Sequence, residues 1–239
     1  MWRNYMRARF DPDARLGLRL TLLVAALLVV AVPFGILLRE VTVSGPLTRV
    51  DTAAAGELHD YVRDSPLVVN VLKVITFFGS SLWFYCLIVP LVVLLLRRGE
   101  TKAALFLGGT TWLGAAINSV VKVLVDRPRP SLVDPVATAH GQSFPSGHSM
   151  AAVVGYGALL IVFLPSVRKR LRWAVIAAAG SLALLIGFTR LALGVHYITD
   201  VLGGYALGGA WLLASASAFR IWRRPTQKKE IGLVHGGPT

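Results

Sequence analysis

Three short stretches of this sequence set reactive side chains beside neighbours that suit chemistry. "KVLVDRPRP" carries Lys122, Arg127 and Arg129, "SFPSGHSM" carries Ser146, Gly147 and His148, and "TRLALGVHYITD" carries Arg190, His196 and Asp200. Lys122, Arg129 and Arg190 offer three positive charges and many N–H donors. That set suits a phosphate dianion and the extra charge that builds on its equatorial oxygens during transfer. Ser146 and Gly147 open a long apolar run, so they would present the N–H groups and favourable dipole of a helix start to an anion. Glycine also lets the backbone approach closely. Phosphoryl transfer further needs a nucleophile and a proton donor for the leaving oxygen, and two histidines are at hand. His196 and Asp200 are four apart, so an early start of the last helix would put them on one face. Asp200 would then accept from one imidazole nitrogen while the other faces phosphorus. His148 has no carboxylate at such spacing and suits the general acid. No HExxH, cysteine cluster or acidic pair at metal-ligand spacing accompanies these residues. The expected reaction therefore uses no metal and no cofactor.

These residues need a scaffold, and composition says which solvent it sits in. Hydrophobic residues make up 55% of the 239 and mean hydropathy is +0.64, too apolar for a water-soluble domain. Six uncharged runs span 20–38, 74–96, 103–121, 149–167, 173–189 and 201–219. Each comes close to the about 20 residues that a helix needs to cross a bilayer, and lipid forces the backbone to satisfy its own hydrogen bonds. The expected fold class is all-α, an integral membrane bundle of six transmembrane helices forming one domain over 1–219. With both termini inside, the inner loops hold seventeen of the 25 basic residues and four of the 12 acidic ones, a strong positive-inside signal. All three reactive stretches then fall at helix ends on the outer face. The same distribution argues against nucleic-acid binding, since the basic residues are spread over four separate loops and form no single groove.

Singly, each site residue has a plainer reading. Lys122 and Arg129 could snorkel, Ser146 could be an ordinary N-cap, and Asp200 could complement a helix dipole. Together they are harder to dismiss, because three helix ends present a cation or histidine at one membrane depth where basic residues are scarce. Elsewhere the chain offers little chemistry. Cys86 lies within an apolar run and has no second cysteine to pair with. The first run lacks a clear cleavage site and reads as a span rather than a signal peptide. Between the first two spans, Val50, Ala54, Leu58 and Tyr61 form a helical stripe suited to the membrane surface. Gly204 and Gly208 make a GxxxG suited to close helix packing. The segment 220–239 reads as a basic cytoplasmic tail in which His235 has no partner.

The three stretches resemble the signatures of the type 2 phosphatidic acid phosphatase (PAP2) family, membrane lipid phosphatases related to bacterial acid phosphatases and vanadium haloperoxidases. Those signatures run Lys-x6-Arg-Pro, Pro-Ser-Gly-His and Ser-Arg-x5-His-x3-Asp. Here they read Lys122 to Arg129-Pro130, Pro145-Ser146-Gly147-His148, and Thr189-Arg190 to His196 and Asp200. Thr189 replaces the usual serine and keeps the hydroxyl. Arg127-Pro128 also resembles the end of the first signature, and the spacer selects Arg129. The resemblance implies His196 as the residue that forms a phosphohistidine, Asp200 as its orienting partner and His148 as general acid. It implies Lys122, Arg129, Ser146, Gly147 and Arg190 as phosphate binders, with no metal. It further implies a membrane lipid phosphate or diphosphate as substrate, of the undecaprenyl diphosphate, phosphatidylglycerol phosphate or phosphatidic acid type, in the bacterial cytoplasmic membrane. Two other readings use the same cradle: vanadate-dependent peroxidase chemistry, and non-enzymatic binding or transport of lipid phosphates. The residues leave the oligomeric state open.

Overall fold

The computed structural model describes residues 15–132 and 134–222, with side chains described over 24–132 and 134–219. Arg3, Arg7, Arg9, His235 and the basic tail beyond 222 lie outside the described residues. Among the described residues there are eight α-helices and no strand: α1 (Arg15–Thr42), α2 (Pro46–Arg63), α3 (Pro66–Phe77), α4 (Ser81–Arg97), α5 (Thr101–Val125), α6 (Gly147–Phe163), α7 (Arg172–Ala192) and α8 (Ile198–Trp222). Six segments are long and apolar enough to cross a membrane, with α3 and α4 forming one of them. The molecule is a six-span, all-α membrane bundle with an additional helix, α2, between its first two spans.

The helices overrun the uncharged runs of the sequence, and the reason is consistent. Lys122, Arg190 and Asp200 end or begin three of those runs, yet α5 continues to Val125, α7 to Ala192, and α8 starts at Ile198. A charge stops a hydropathy run because lipid disfavours it, but these three side chains point into the protein interior. The second span differs more. It runs from Pro66 to Arg97, well before the expected 74, and breaks at Phe78-Gly79-Ser80. Ser80 caps α4 by accepting from the Trp83 N–H at 3.2 Å. At 32 residues a straight helix would be about 48 Å long, against about 30 Å of hydrocarbon. The break lets α3 lean away from α4 and pack Val69 and Leu72 against Ala192, Leu193 and Val195 at the end of α7.

Helix α2 bears its apolar stripe on the outside. Val50 and Tyr61 are 57% and 86% exposed, while the adjoining face, Asp51, Ala55, His59 and Val62, is buried against the bundle. The exposed stripe suits the membrane surface, and the buried face is set by the polar site beneath it.

Within lipid, helices associate through close packing rather than water exclusion, and the crossing of α6 with α8 is built that way. A Cβ on Gly204 would lie 2.6 Å from the Ser146 backbone oxygen and 3.0 Å from Ser149 Cβ, and one on Gly208 would lie 3.2 Å from the Met150 carbonyl oxygen. Gly204→Val is therefore expected to destabilise the protein by about 1–3 kcal/mol through overpacking, read as a lower thermal midpoint in detergent. Activity should fall with it, because the backbone that must move belongs to Ser146. At the opposite end, Ile88, Leu107 and Ala158 form a tight core, closed by Phe106 stacked on Phe219 at 4.4 Å.

Candidate active site

Helices α5 and α7 end, and α6 and α8 begin, at one end of the bundle, so the three reactive stretches converge there. Asp126 ends α5 in a left-handed conformation, φ 47°, with its N–H on the Lys122 carbonyl at 2.9 Å. Pro128 and Pro130 then hold the chain extended, and the two arginines between them diverge. Arg127 is buried against Asp51 and Asp200, while Arg129 reaches the imidazole of His196.

Arg129 is anchored by Nη1 on the Val195 carbonyl at 2.7 Å and by Nε on the Gly141 carbonyl at 2.9 Å. The same Nη1 lies 3.1 Å from Nε2 of His196. A guanidinium only donates, so Nε2 carries the lone pair and Nδ1 carries the hydrogen. Nδ1 faces Oδ2 of Asp200 at 3.3 Å. This assigns the tautomer from its neighbours.

The expected pairing is present, but by another route. His196 does not share a helical face with Asp200, because α8 begins only at Ile198. Gly194, φ +69°, turns the chain after α7 where a Cβ would strike Leu132. Asp200, third in α8, reaches back to the Tyr197 N–H at 2.8 Å, the reciprocal half of a capping box. A hydrogen bond from the Ser143 hydroxyl completes Oδ2, and Arg127 holds Oδ1 at 2.6 Å.

Arg190, in the last turn of α7, donates through Nη1 to the Thr76 hydroxyl of α3 at 3.0 Å. Its Nε is buried with no hydrogen-bond partner. A buried guanidinium N–H left over in this way fits an anion. Lys122 Nζ donates to the Gln142 carbonyl and lies 3.5 Å from that of Ser143. Lys122, Arg129 and Arg190 lie within electrostatic reach of one another, and His148 lies within reach of all three and of His196.

Ser146 behaves differently from the sequence expectation. Its N–H is spent on the Asp200 carbonyl at 2.9 Å, and its hydroxyl caps α6, accepting from the Ser149 N–H at 3.5 Å and from the Ser149 hydroxyl at 3.0 Å. The donors that this helix start leaves for an anion are the N–H groups of Gly147 and His148, which have no partner within the helix. Thr189 likewise turns inward, its hydroxyl on the Ile186 carbonyl at 2.6 Å.

Burial holds the His196 imidazole down at about 4; the hydrogen bond and charge of Asp200 pull it up, and Arg129 and Arg190 push it down again. Burial also lowers Arg129, which Asp200 partly offsets. A cavity of about 280 Å³ runs from Lys122, Gly147 and His148 between α4, α5 and α6, past Tyr85, Ile88 and Trp112.

Sequence reasoning missed Asp51, Ser143, Thr199 and Thr76. Asp51 lies in a helix whose other acids face solvent, and no spacing linked it to the site. Arg127 was visible as a duplicate of the first signature but had no role there.

Residues 103–224 match the family model described as PAP2 superfamily, a range that includes all eight expected site residues. The chain is 35% identical over 156 residues to phosphatidylglycerophosphatase B of Bacillus subtilis, covering 60% of this chain and 71% of that protein. It is 30% identical over 183 residues to lipid A 1-phosphatase of Rhizobium etli, covering 65% and 74%. The crystal structure of a transmembrane PAP2-type phosphatidylglycerolphosphate phosphatase from Bacillus subtilis superposes with a TM-score of 0.74 at 28% identity, over 84% of this chain and 99% of that one. By its signatures, its fold and these relatives, the chain belongs to the PAP2 superfamily, as a multi-pass membrane phosphatase.

Proposed function

We propose that the protein hydrolyses the terminal phosphate of a membrane lipid phosphate or diphosphate through a phosphohistidine on His196. The observation that carries this reading is the fixed imidazole, with Nδ1 on Asp200 and the Nε2 lone pair facing the Arg129 guanidinium. Lys122, Arg129, Arg190 and the N–H groups of Gly147 and His148 hold the phosphate, with Ser146 fixing the helix start beneath it. Nε2 exchanges its hydrogen bond from Arg129 for phosphorus as Arg129 turns that donor to a phosphate oxygen, the bond to the leaving oxygen breaks, and His148 gives that oxygen its proton. Water then attacks the phosphohistidine, His148 takes the proton, and inorganic phosphate leaves with His196 restored. The charge that builds on phosphate oxygens is met by fixed cations, so the step needs no metal.

The apolar cavity beside His148 suits the chain of a lipid whose headgroup lies on the cradle. The relatives are named for phosphatidylglycerophosphate and lipid A, and phosphatidylglycerol phosphate, undecaprenyl diphosphate and phosphatidic acid are the substrates to compare. Residues 1–219 act as one phosphatase domain, followed by a basic cytoplasmic tail. Positive-inside charge supports a topology with both termini in the cytoplasm and the site at the outer face of a bacterial cytoplasmic membrane. Purified protein in detergent with EDTA should release phosphate from at least one of these lipids and form an acid-labile, alkali-stable phosphoenzyme. Turnover that stops on chelation, with no phosphoenzyme, would defeat the mechanism.

The depressed His196 gives a pH prediction. In the folded protein the imidazole stays neutral down to about 4, whereas in the unfolded chain it protonates near ~6.5. Between those values the unfolded state binds more protons, so stability should fall as pH is lowered through that window. The ring ¹⁵N shifts of His196, identified by their absence in the alanine variant, should titrate near 4. Titration at the ordinary value would contradict the buried, cation-flanked imidazole.

A further inference from the structure

Arg127 and Asp51 take no part in the phosphate cradle, yet they are among the most completely bonded charges in the protein. Arg127 Nη1 donates to Asp200 Oδ1 at 2.6 Å and to the Thr199 hydroxyl at 2.7 Å, and Nη2 donates to Asp51 Oδ2 at 2.8 Å. The guanidinium lies 4.2 Å over the ring of Tyr197. Asp51, 1% exposed, accepts from the Thr199 N–H at 3.0 Å and from the Thr199 hydroxyl. It therefore satisfies one of the unpaired donors at the start of α8. One side chain of α2 thus holds both the guanidinium and the helix end that carry Asp200.

We propose that Asp51 and Arg127 are positioning residues for the His196–Asp200 pair. Through Asp51, α2 fixes Arg127 on Oδ1 of Asp200 and so leaves Oδ2 for Nδ1 of His196. This rests on the nucleophile reading of His196. The two oxygens of Asp200 have separate partners: Arg127 on Oδ1, and His196, Ser143 and the Tyr197 N–H on Oδ2. Without Arg127, Oδ1 loses its charged partner and only the bonds at Oδ2 hold the carboxylate, so its plane is less firmly set against the imidazole. The planar fork of arginine reaches two carboxylates in divergent directions, which an ammonium cannot do. Charge balance supports the same role. Two carboxylates around one guanidinium leave one net negative charge on the Nδ1 side of the imidazole, opposite Arg129 at Nε2, and the ring becomes positive once Nε2 bonds to phosphorus.

The test uses the full chain in detergent, with kcat, KM and the rate of phosphoenzyme formation measured on a lipid phosphate. Asp51→Asn keeps the side-chain shape and should lower kcat about tenfold, and Arg127→Gln about 10²-fold, the scale of a misplaced reacting group. KM should stay unchanged. Arg127→Lys should recover only part of the loss. In an Asp200→Asn background, where there is no carboxylate left to aim, neither substitution should lower the rate further. A merely structural ion pair would give losses that persist in that background, and this result, or a loss confined to KM, would overturn the proposal. Wild-type kcat in Asp51→Asn would overturn it as well, and that isosteric variant decides alone where Arg127→Gln does not fold. His196→Ala runs alongside. If it retains turnover and phosphoenzyme, the nucleophile reading fails and takes the clamp with it. If it is inactive while Asp51→Asn is normal, only the clamp is refuted.

Discussion

His196→Ala protein is expected to release phosphate at least about 10⁴-fold more slowly than the parent, a loss near ~5.5 kcal/mol of transition-state stabilisation. The size follows from what remains. On the proposed reading Lys122, Arg129, Arg190 and the α6 N–H groups would still bind the anion, so KM should change little, but no side chain would replace the Nε2 lone pair. Asp200 keeps Arg127, Ser143 and the Tyr197 N–H, and Arg129 keeps the Val195 and Gly141 carbonyls. The fold should therefore survive, and the thermal midpoint in detergent should stay close to that of the parent. Phosphoenzyme should be absent from acid- and alkali-quenched samples alike. Turnover within tenfold of the parent would remove His196 from the chemistry.

Arg190→Ala should lower kcat/KM about 10³-fold, the scale for losing one fixed charge from a phosphoryl-transfer site. Arg190→Lys should restore only part of it, because the ammonium lacks the planar fork that fixes the guanidinium donors. This substitution carries a second expected result that separates function from stability. Arg190 Nε is a buried donor without a protein partner, a condition that costs about 1–3 kcal/mol in the unliganded protein. Removing it should leave the thermal midpoint unchanged or raise it, despite the lost contact to Thr76. Inactive protein that is no less stable than the parent is the signature of a residue kept for its ligand. A collapse in stability with kcat/KM unchanged per folded molecule would place Arg190 in the scaffold.

The sequence made the spans legible because lipid imposes a length and forbids charge. It misplaced their ends for the same reason. Lys122, Arg190 and Asp200 looked like boundaries, whereas they are interior residues of α5, α7 and α8 that face the site. His196 and Asp200 were paired by their spacing of four, yet the contact is made by a turn before α8 and a side chain reaching back to it. Spacing identified the partners without identifying the backbone that joins them. Asp51 was illegible because its partners, Arg127 and Thr199, are 76 and 148 positions away, and no local periodicity reports contacts of that range. The glycines were easier, since a GxxxG in an apolar run already implies close approach, and Gly204 meets the Ser146 carbonyl.

The bond from Thr199 to Asp51 also bears on how the protein comes into being. Its two ends are 148 residues apart, and the chain is made in order. Asp51 and Arg127 leave the ribosome with the early helices and await α8, which brings Asp200, Thr199 and the start that Asp51 caps. Until α8 joins the bundle, Arg127 and Asp51 lack their partners Asp200 and Thr199. The His196–Asp200 pair and the Asp51–Thr199 bond can therefore form only once α8 has taken its place in the bundle.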